Sequence, residues 1–175
     1  MKHFPPIDSP LPKKELALEN PHSLGTTEAL VKIVDQVDER DPELFPFFEE
    51  EATAEIRRIE AILHQWHLKE GPCQREEFIR TLHTLKGAAN SIGQIRIGSL
   101  AGGMKDAIQA MNEEQMTRLR TEVTKVTVTM VEAIKMLLRE AHAPKYNRAE
   151  KELILKSVQL ITDLRAKAAV LGSSS

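Results

Sequence analysis

The sequence predicts an all-α protein: an antiparallel bundle of four main helices with additional helices at its N- and C-terminal ends. Apolar residues recur at steps of three and four in successive segments, and no segment shows a sustained period of two. Aromatic residues make up only 4% of the chain, so aliphatic side chains must fill the interior, which suits helix-on-helix packing. The 175 residues are enough for one domain with a substantial core.

The N-terminal segment 1–25 holds five of the nine prolines, a density that prevents helix and predicts a flexible segment. Helical structure is expected to begin near Thr26, which can cap a short helix that ends at about Asp38. The predicted helical domain spans 26–171, with its core bundle at about 41–142.

The first bundle helix begins at Asp41-Pro42-Glu43, where a capping residue precedes a proline and an acid. It is expected to run to about residue 69, because Gly71-Pro72 stops it. Apolar residues recur at helical spacing along it: Phe48, Ala52, Ile56, Ile59, Leu63 and Trp66.

The second bundle helix is predicted over 74–92, with Gly93 as its C-terminal cap. The third is predicted over 96–111. A long helix then starts near Asn112 and is broken by His142-Ala143-Pro144.

A last helix is predicted at about 147–170, following the bundle. Residues 172–175 are expected to be a flexible tail, because they read Gly-Ser-Ser-Ser.

The overall composition argues against several classes of protein. Charged residues make up 29% of the chain but nearly cancel to a net charge of −2, which argues against nucleic-acid binding. No run approaches the ~20 apolar residues that a membrane span requires, and the N-terminus lacks an apolar signal core. The single cysteine, Cys73, excludes an intrachain disulfide. We expect a cytoplasmic protein, or part of a longer one, that binds neither membrane nor nucleic acid.

One stripe of the second bundle helix has the composition of a phosphoryl-accepting site. The inward stripe is apolar: Phe78, Leu82, Leu85, Ala89 and Ile92. The neighbouring stripe is mostly polar and should face water: Ile79, His83, Lys86, Gly87 and Asn90. The Lys86 ammonium can bind phosphate oxygens, and its charge favours the neutral, nucleophilic form of the His83 imidazole. A glycine inside a helix costs ~1 kcal/mol; a Cβ at Gly87 is expected to crowd the imidazole.

The run His83-Thr84-Leu85-Lys86-Gly87, followed by Gly93, resembles the His-x-x-Lys-Gly-x-x-x-x-x-Gly signature of histidine-containing phosphotransfer (HPt) domains. Asp41-Pro42-Glu43-Leu44-Phe45 resembles the first bundle helix of HPt domains in CheA-type chemotaxis histidine kinases. Leu153-Ile154-Leu155-Lys156-Ser157-Val158 is similar to the helix that follows the bundle there. The resemblance covers roughly residues 41 to 170.

This resemblance implies a four-helix bundle whose exposed histidine, His83, carries a phosphoryl group on one ring nitrogen. The implied partners are a response-regulator receiver domain, whose aspartate takes the group, and the ATP-binding domain of a histidine kinase. Mg²⁺ is expected on the receiver, and no cofactor is expected on this chain. The chain shows no nucleotide-binding signature, so it is a carrier without an ATP site of its own, and its status as an enzyme stays open.

The third bundle helix departs from the chemotaxis pattern. That branch presents a histidine and, three residues later, a glutamate that accepts the imidazole N–H. The matching positions here hold Gly102 and Lys105. A lysine cannot accept that bond, and Asp106 is rotated by about 100° around the helix. A second lysine can instead help to bind phosphate.

Two alternatives remain open from the sequence. One is a degenerate HPt-fold scaffold that binds kinase or receiver partners without phosphate turnover; the other is a helical-bundle adaptor unrelated to phosphorelay. A metal site is not expected: His64 and His67 lie three residues apart, but no nearby carboxylate, histidine or cysteine completes a ligand set.

Overall fold

The computed structural model describes residue 38 and residues 41–68, 73–139 and 148–173. These residues form six helices and no strand, which confirms the predicted all-α class. The helices are α1 (Phe45–His67), α2 (Arg75–Ser91), α3 (Ile95–Gln109), α4 (Glu113–Arg118), α5 (Arg120–Arg139) and α6 (Arg148–Ser173). Within the described ranges, no helix is both long and apolar enough to cross a membrane.

Four of these helices, α1, α2, α3 and α5, make up the bundle. Helix α2 lies between α1 and α3, and α6 packs against both α3 and α5. One aliphatic core joins them; its largest fully buried side chains include Phe78, Ile56, Ile59, Leu82, Ile97, Met104 and Met130. The predicted flexible segment 1–25 and the helix expected over 26–38 lie outside the described residues, except for Asp38.

Helix α1 begins three residues later than its capping signal suggests. The Asp41 carboxylate accepts hydrogen bonds from the backbone N–H of Glu43 at 2.8 Å and of Leu44 at 3.3 Å. Residues 42–44 form a turn, and the helix starts at Phe45, whose N–H bonds to the Asp41 carbonyl at 2.9 Å. Asp41 therefore satisfies backbone donors ahead of the helix, as a capping residue does.

The turn between α2 and α3 is a Schellman motif built on Gly93. The Gly93 N–H donates to the Asn90 carbonyl at 3.2 Å, and the Gln94 N–H donates to the Ala89 carbonyl at 2.8 Å. Gly93 has φ of 74°, in the left-handed region that favours glycine. The predicted cap is confirmed, and it turns the chain sharply enough for α3 to run back along α2.

The N-terminus of α3 is held by Asp38, from outside the bundle helices. Its carboxylate accepts hydrogen bonds from the backbone N–H of Ile95 at 3.0 Å and of Arg96 at 3.4 Å. The other carboxylate oxygen accepts the Nε–H of Arg96 at 2.8 Å, and both side chains are buried. Sequence analysis expected Asp38 at a helix end; here it is a non-helical residue that caps a different helix.

At the opposite end of the α2–α3 pair, Arg75 of α2 binds backbone carbonyls at the end of α3. Its guanidinium donates to the carbonyl of Met111 at 2.7 Å and to that of Gln109 at 3.0 Å. These carbonyls lie at the C-terminal end of α3, where a cation also complements the helix dipole. Arg75 and the Gly93 turn thus tie α2 and α3 together at both ends.

The prediction of one unbroken helix from Asn112 is wrong. Asn112 and Gln115 form a reciprocal capping box at 2.8 and 2.9 Å, and the short helix α4 follows it. The break at Leu119 is a local distortion, because the Leu119 N–H still bonds to Gln115 and the Val123 N–H to Leu119. The capping box sets the start of this region, and the single non-helical residue Leu119 separates α4 from α5.

The α1–α2 interface contains a buried carboxylate, Glu55, whose side chain is only 5% exposed. One oxygen accepts a hydrogen bond from Arg58 at 2.7 Å, and the other has no partner within the described part of the chain. Burial raises the pKa of this carboxyl; Arg58 opposes that effect, and Glu51 and Glu77 reinforce it. The ionised form is therefore disfavoured in the folded state.

We predict that Gly93→Ala lowers the free energy of unfolding by about 1–2 kcal/mol, because a Cβ disfavours the left-handed conformation. Urea denaturation measures this loss. Gly87→Ala is the matched control, since it makes the same change inside α2, where alanine is the better helix former. Equal stability of Gly93→Ala and wild type would contradict the cap.

We predict that Glu55→Gln stabilises the protein at pH 7. The ordinary pKa of this carboxyl is 4.5, and its pKa in the folded state is higher. Above pH 4.5 the unfolded chain therefore loses this proton more readily than the folded protein does, which lowers the free energy of unfolding. The gain from Glu55→Gln should therefore shrink as pH falls below that value. Urea titrations across this range measure it, with the exposed Glu50→Gln as control; a gain independent of pH would refute the assignment.

Candidate functional site

His83 lies near the middle of α2, on the exposed side of the helix. The inward stripe beside it is buried as predicted: Phe78, Leu82, Leu85 and Ala89 are inaccessible, and Ile92 is half-buried. This stripe fixes the rotation of α2 against the core. The rotation directs Ile79, half-buried, to the edge of the core and leaves the imidazole open to a partner.

The surface at Gly87, one turn beyond His83, is open. Among the described residues, a Cβ on this glycine would meet no atom within 4 Å outside its immediate chain neighbours and the local helix backbone. The expectation that such a Cβ crowds the imidazole is therefore wrong for the isolated chain. None of the six described helices packs against this glycine, so the space that it leaves open is the solvent-facing space beside the histidine.

Helices α2 and α3 approach closely because two glycines of α3 lie under polar side chains of α2. A Cβ on Gly98 would collide with the amide of Asn90. A Cβ on Gly102 would lie 3.2 Å from Cδ and 3.4 Å from Cε of Lys86. The stem of Lys86 therefore runs across Gly102, and the two contacts define the register of the antiparallel pair.

If the same register continues along the two helices, we expect His83 to lie opposite Lys105. From Asn90 to Lys86 the chain steps back four residues, and from Gly98 to Gly102 it steps forward four. One further turn, of three residues in each helix, brings His83 opposite Lys105. The next turn, of four residues, matches Ile79 with Gln109.

The side chain of Lys105 is held along its own helix. Its Nζ lies 3.4 Å from Oδ1 of Asp106 and 3.4 Å from Oε1 of Gln109. Only 15% of this side chain is exposed. Asp106, considered as a substitute acceptor for the imidazole N–H, is instead engaged with the lysine beside it.

Comparison with known protein families gives a match to the Hpt domain over residues 43–143, more than half of the chain. The chain belongs to the Hpt domain family. No curated protein and no solved structure matches the chain at a significant level. The family match ends before α6 and begins after Asp38, so both of these lie outside the part that the family defines.

Membership of the HPt family assigns the chain to histidine phosphotransfer in a phosphorelay, with a response regulator as partner. Of the other histidines in the matched region, the two that the structure describes, His64 and His67, are exposed near the C-terminal end of α1. Among the described residues, no group of three or more potential metal ligands lies together. Burial raises the pKa of the nearby Cys73 thiol, which favours its protonated form.

Sequence reasoning missed Gly98, which lies under Asn90, and Gln109, which accepts a hydrogen bond from Lys105. The signal was present: Ile79, His83, Lys86 and Asn90 are spaced four, three and four apart, and Gly98, Gly102, Lys105 and Gln109 repeat that spacing. Two stripes with equal steps on consecutive helices can face each other along their whole length once a tight turn makes the helices antiparallel.

We predict that Gly87→Ala separates stability from function. The change should raise the free energy of unfolding by up to ~1 kcal/mol, because alanine is the better helix former and the structure has room for it. Phosphoryl exchange with a receiver domain should nevertheless slow, since the methyl group occupies the space beside His83. Urea denaturation and a radiolabel transfer assay measure the two effects; faster or unchanged transfer would show that this surface is not used.

Proposed function

We propose that His83 accepts a phosphoryl group and passes it to the aspartate of a response-regulator receiver domain. One observation carries the proposal: an exposed imidazole with the Lys86 stem beside it and a clear surface at Gly87. A phosphoryl carrier needs this combination, because its nucleophile must meet a second protein while a cation stays near the phosphate oxygens.

The chemistry is a reversible exchange of bonds at phosphorus. A ring nitrogen of neutral His83 attacks the phosphorus of an aspartyl phosphate with its lone pair. A P–N bond forms while the P–O bond to the carboxylate breaks, and the aspartate leaves as an anion. Transfer from His83 to a receiver is the reverse reaction, in which the imidazole leaves with the electron pair of the P–N bond.

The Lys86 ammonium supports this exchange by its position. Its stem is fixed across Gly102, so the charge is kept at the α2–α3 edge, near the turn that carries His83. Charge spreads over the equatorial oxygens of a transferring phosphoryl group, and a fixed cation stabilises that charge without reorganisation. The receiver is expected to supply Mg²⁺, which neutralises the oxygens from the other side.

The donor that loads His83 is proposed to be either a phosphorylated receiver or the ATP-binding domain of a histidine kinase. The resemblance of the first bundle helix and of α6 to the chemotaxis branch supports a CheA-type kinase. Lys105, in the place where that branch has a glutamate, favours a receiver. Labelling by each donor in turn separates these two routes.

We predict that His83→Gln abolishes phosphoryl transfer and leaves the fold intact. The protein is incubated with a receiver domain carrying a radiolabelled aspartyl phosphate, and acid-labile, alkali-stable label is measured. His64→Gln is the matched control, since His64 is also exposed on a bundle helix. Equal labelling of wild type and His83→Gln would overturn the proposal. A wild type that binds the receiver but takes no label would indicate the scaffold alternative.

A further inference from the structure

We propose that Lys105 is a second phosphate ligand, which closes on the phosphoryl group of His83 from α3 while Lys86 holds it from α2. This inference rests on the proposed function and deepens it. It assigns to the α3 side of the site the task of stabilising the phosphorylated state, so that exchange with a receiver is biased toward phosphohistidine.

The position of Lys105 follows from two independent contacts. Asn90 lies on Gly98, and Lys86 lies on Gly102, so the register is measured at two successive turns. The Gly93 turn at one end and Arg75 at the other prevent the helices from sliding. The third turn of this register brings Lys105 opposite His83.

The present contacts of Lys105 keep its ammonium close to that turn without using all its donors. The ammonium forms an ion pair with Asp106 at 3.4 Å and donates a hydrogen bond to Gln109 at 3.4 Å, and both distances are long for a charged donor. An ammonium has three N–H donors, so one remains for a phosphate oxygen. Because the stem is packed and only 15% of the side chain is exposed, little rotamer freedom remains to be lost on phosphate binding.

The electrostatic consequence is a preference for the phosphorylated imidazole. A phosphoryl group brings about two negative charges, and it arrives between two cations that belong to different helices. Before phosphorylation no phosphate charge is present at this turn, and the Lys105 ammonium interacts with Asp106 and Gln109. The pair therefore stabilises the product of loading more than the starting state, which is the differential interaction that shifts an equilibrium.

Because residue 105 is a lysine, its side chain cannot accept a hydrogen bond from the His83 imidazole. It offers the imidazole a donor and no acceptor, and the carboxylate next to it, Asp106, is engaged by the same ammonium. The second ring N–H of His83 thus receives no acceptor from residue 105. Phosphate binding, rather than orientation of the ring, is the contribution of this residue.

The test compares the lifetime of phosphohistidine in wild type, Lys105→Met and Lys105→Arg. Each protein is loaded with phosphoramidate, the donor is removed, and the decay of the phosphohistidine signal is followed by ³¹P NMR. Lys156→Met, which removes an exposed lysine of α6, is the matched control. The same decay is recorded in urea, where the folded site no longer exists.

Loss of one charge-assisted hydrogen bond should shorten the lifetime in Lys105→Met by about tenfold. Lys105→Arg should retain most of the wild-type lifetime, and Lys156→Met all of it. The exchange equilibrium with a phosphorylated receiver should shift toward the receiver by about the same factor in Lys105→Met. In urea all four proteins should decay alike.

Two failures are distinguishable. If wild type takes no phosphoryl group at His83, the proposed function fails. If wild type is loaded but Lys105→Met has the same lifetime and equilibrium as wild type, this inference alone is overturned. A shorter lifetime in Lys105→Met accompanied by an equal loss in Lys156→Met would likewise overturn it, because the effect would then follow from net charge.

Discussion

The close antiparallel contact between α2 and α3 is the constraint on which the site depends. It is set by the left-handed Gly93 turn at one end and by Arg75 on the last carbonyls of α3 at the other. Between these ends, Gly98 and Gly102 leave room for Asn90 and Lys86 to lie across α3. A larger residue at either position would displace the polar side chain that now covers it, and at Gly102 the displaced side chain is that of Lys86, the proposed phosphate ligand.

Glycine therefore serves two different purposes in neighbouring helices. On α2, Gly87 faces open space, where a side chain would extend over the surface beside His83 that we propose a partner contacts. On α3, the glycines face α2, where a side chain would push a functional group away. Each costs roughly 1 kcal/mol of helix propensity, and the extensive aliphatic core shared by the bundle helices and α6 offsets that cost.

The repeating patterns of the sequence were enough to predict the helices, the inward stripe of α2 and the cap at Gly93, because each depends on local spacing or local backbone geometry. Capping by a residue distant in the sequence could not be predicted. Nothing near Asp38 indicates that its carboxylate binds the start of α3, more than fifty residues away. The break at Leu119 was missed because the apolar periodicity continues through it, and helical hydrogen bonds do so as well.

The expectation that a Cβ at Gly87 would crowd the His83 imidazole was also wrong. Helical spacing shows which residues share a face, but it does not give the distance between a Cβ and a side chain one turn away. The expected position of Lys105 opposite His83 is a different case. The sequence shows the same four-three-four spacing on both helices, but the spacing alone does not say which residues face each other. That depends on the register, which is set by contacts between side chains of one helix and glycines of the other.

The most direct test of this account is the structure of the protein after loading with phosphoramidate. The account predicts a phosphoryl group on a ring nitrogen of His83, with Nζ of both Lys86 and Lys105 at about 2.8 Å from its oxygens, the distance of a charge-assisted hydrogen bond. A phosphoryl group on another residue would contradict the central claim. So would a phosphohistidine contacted by Lys86 alone, with Lys105 still bound to Asp106 and Gln109.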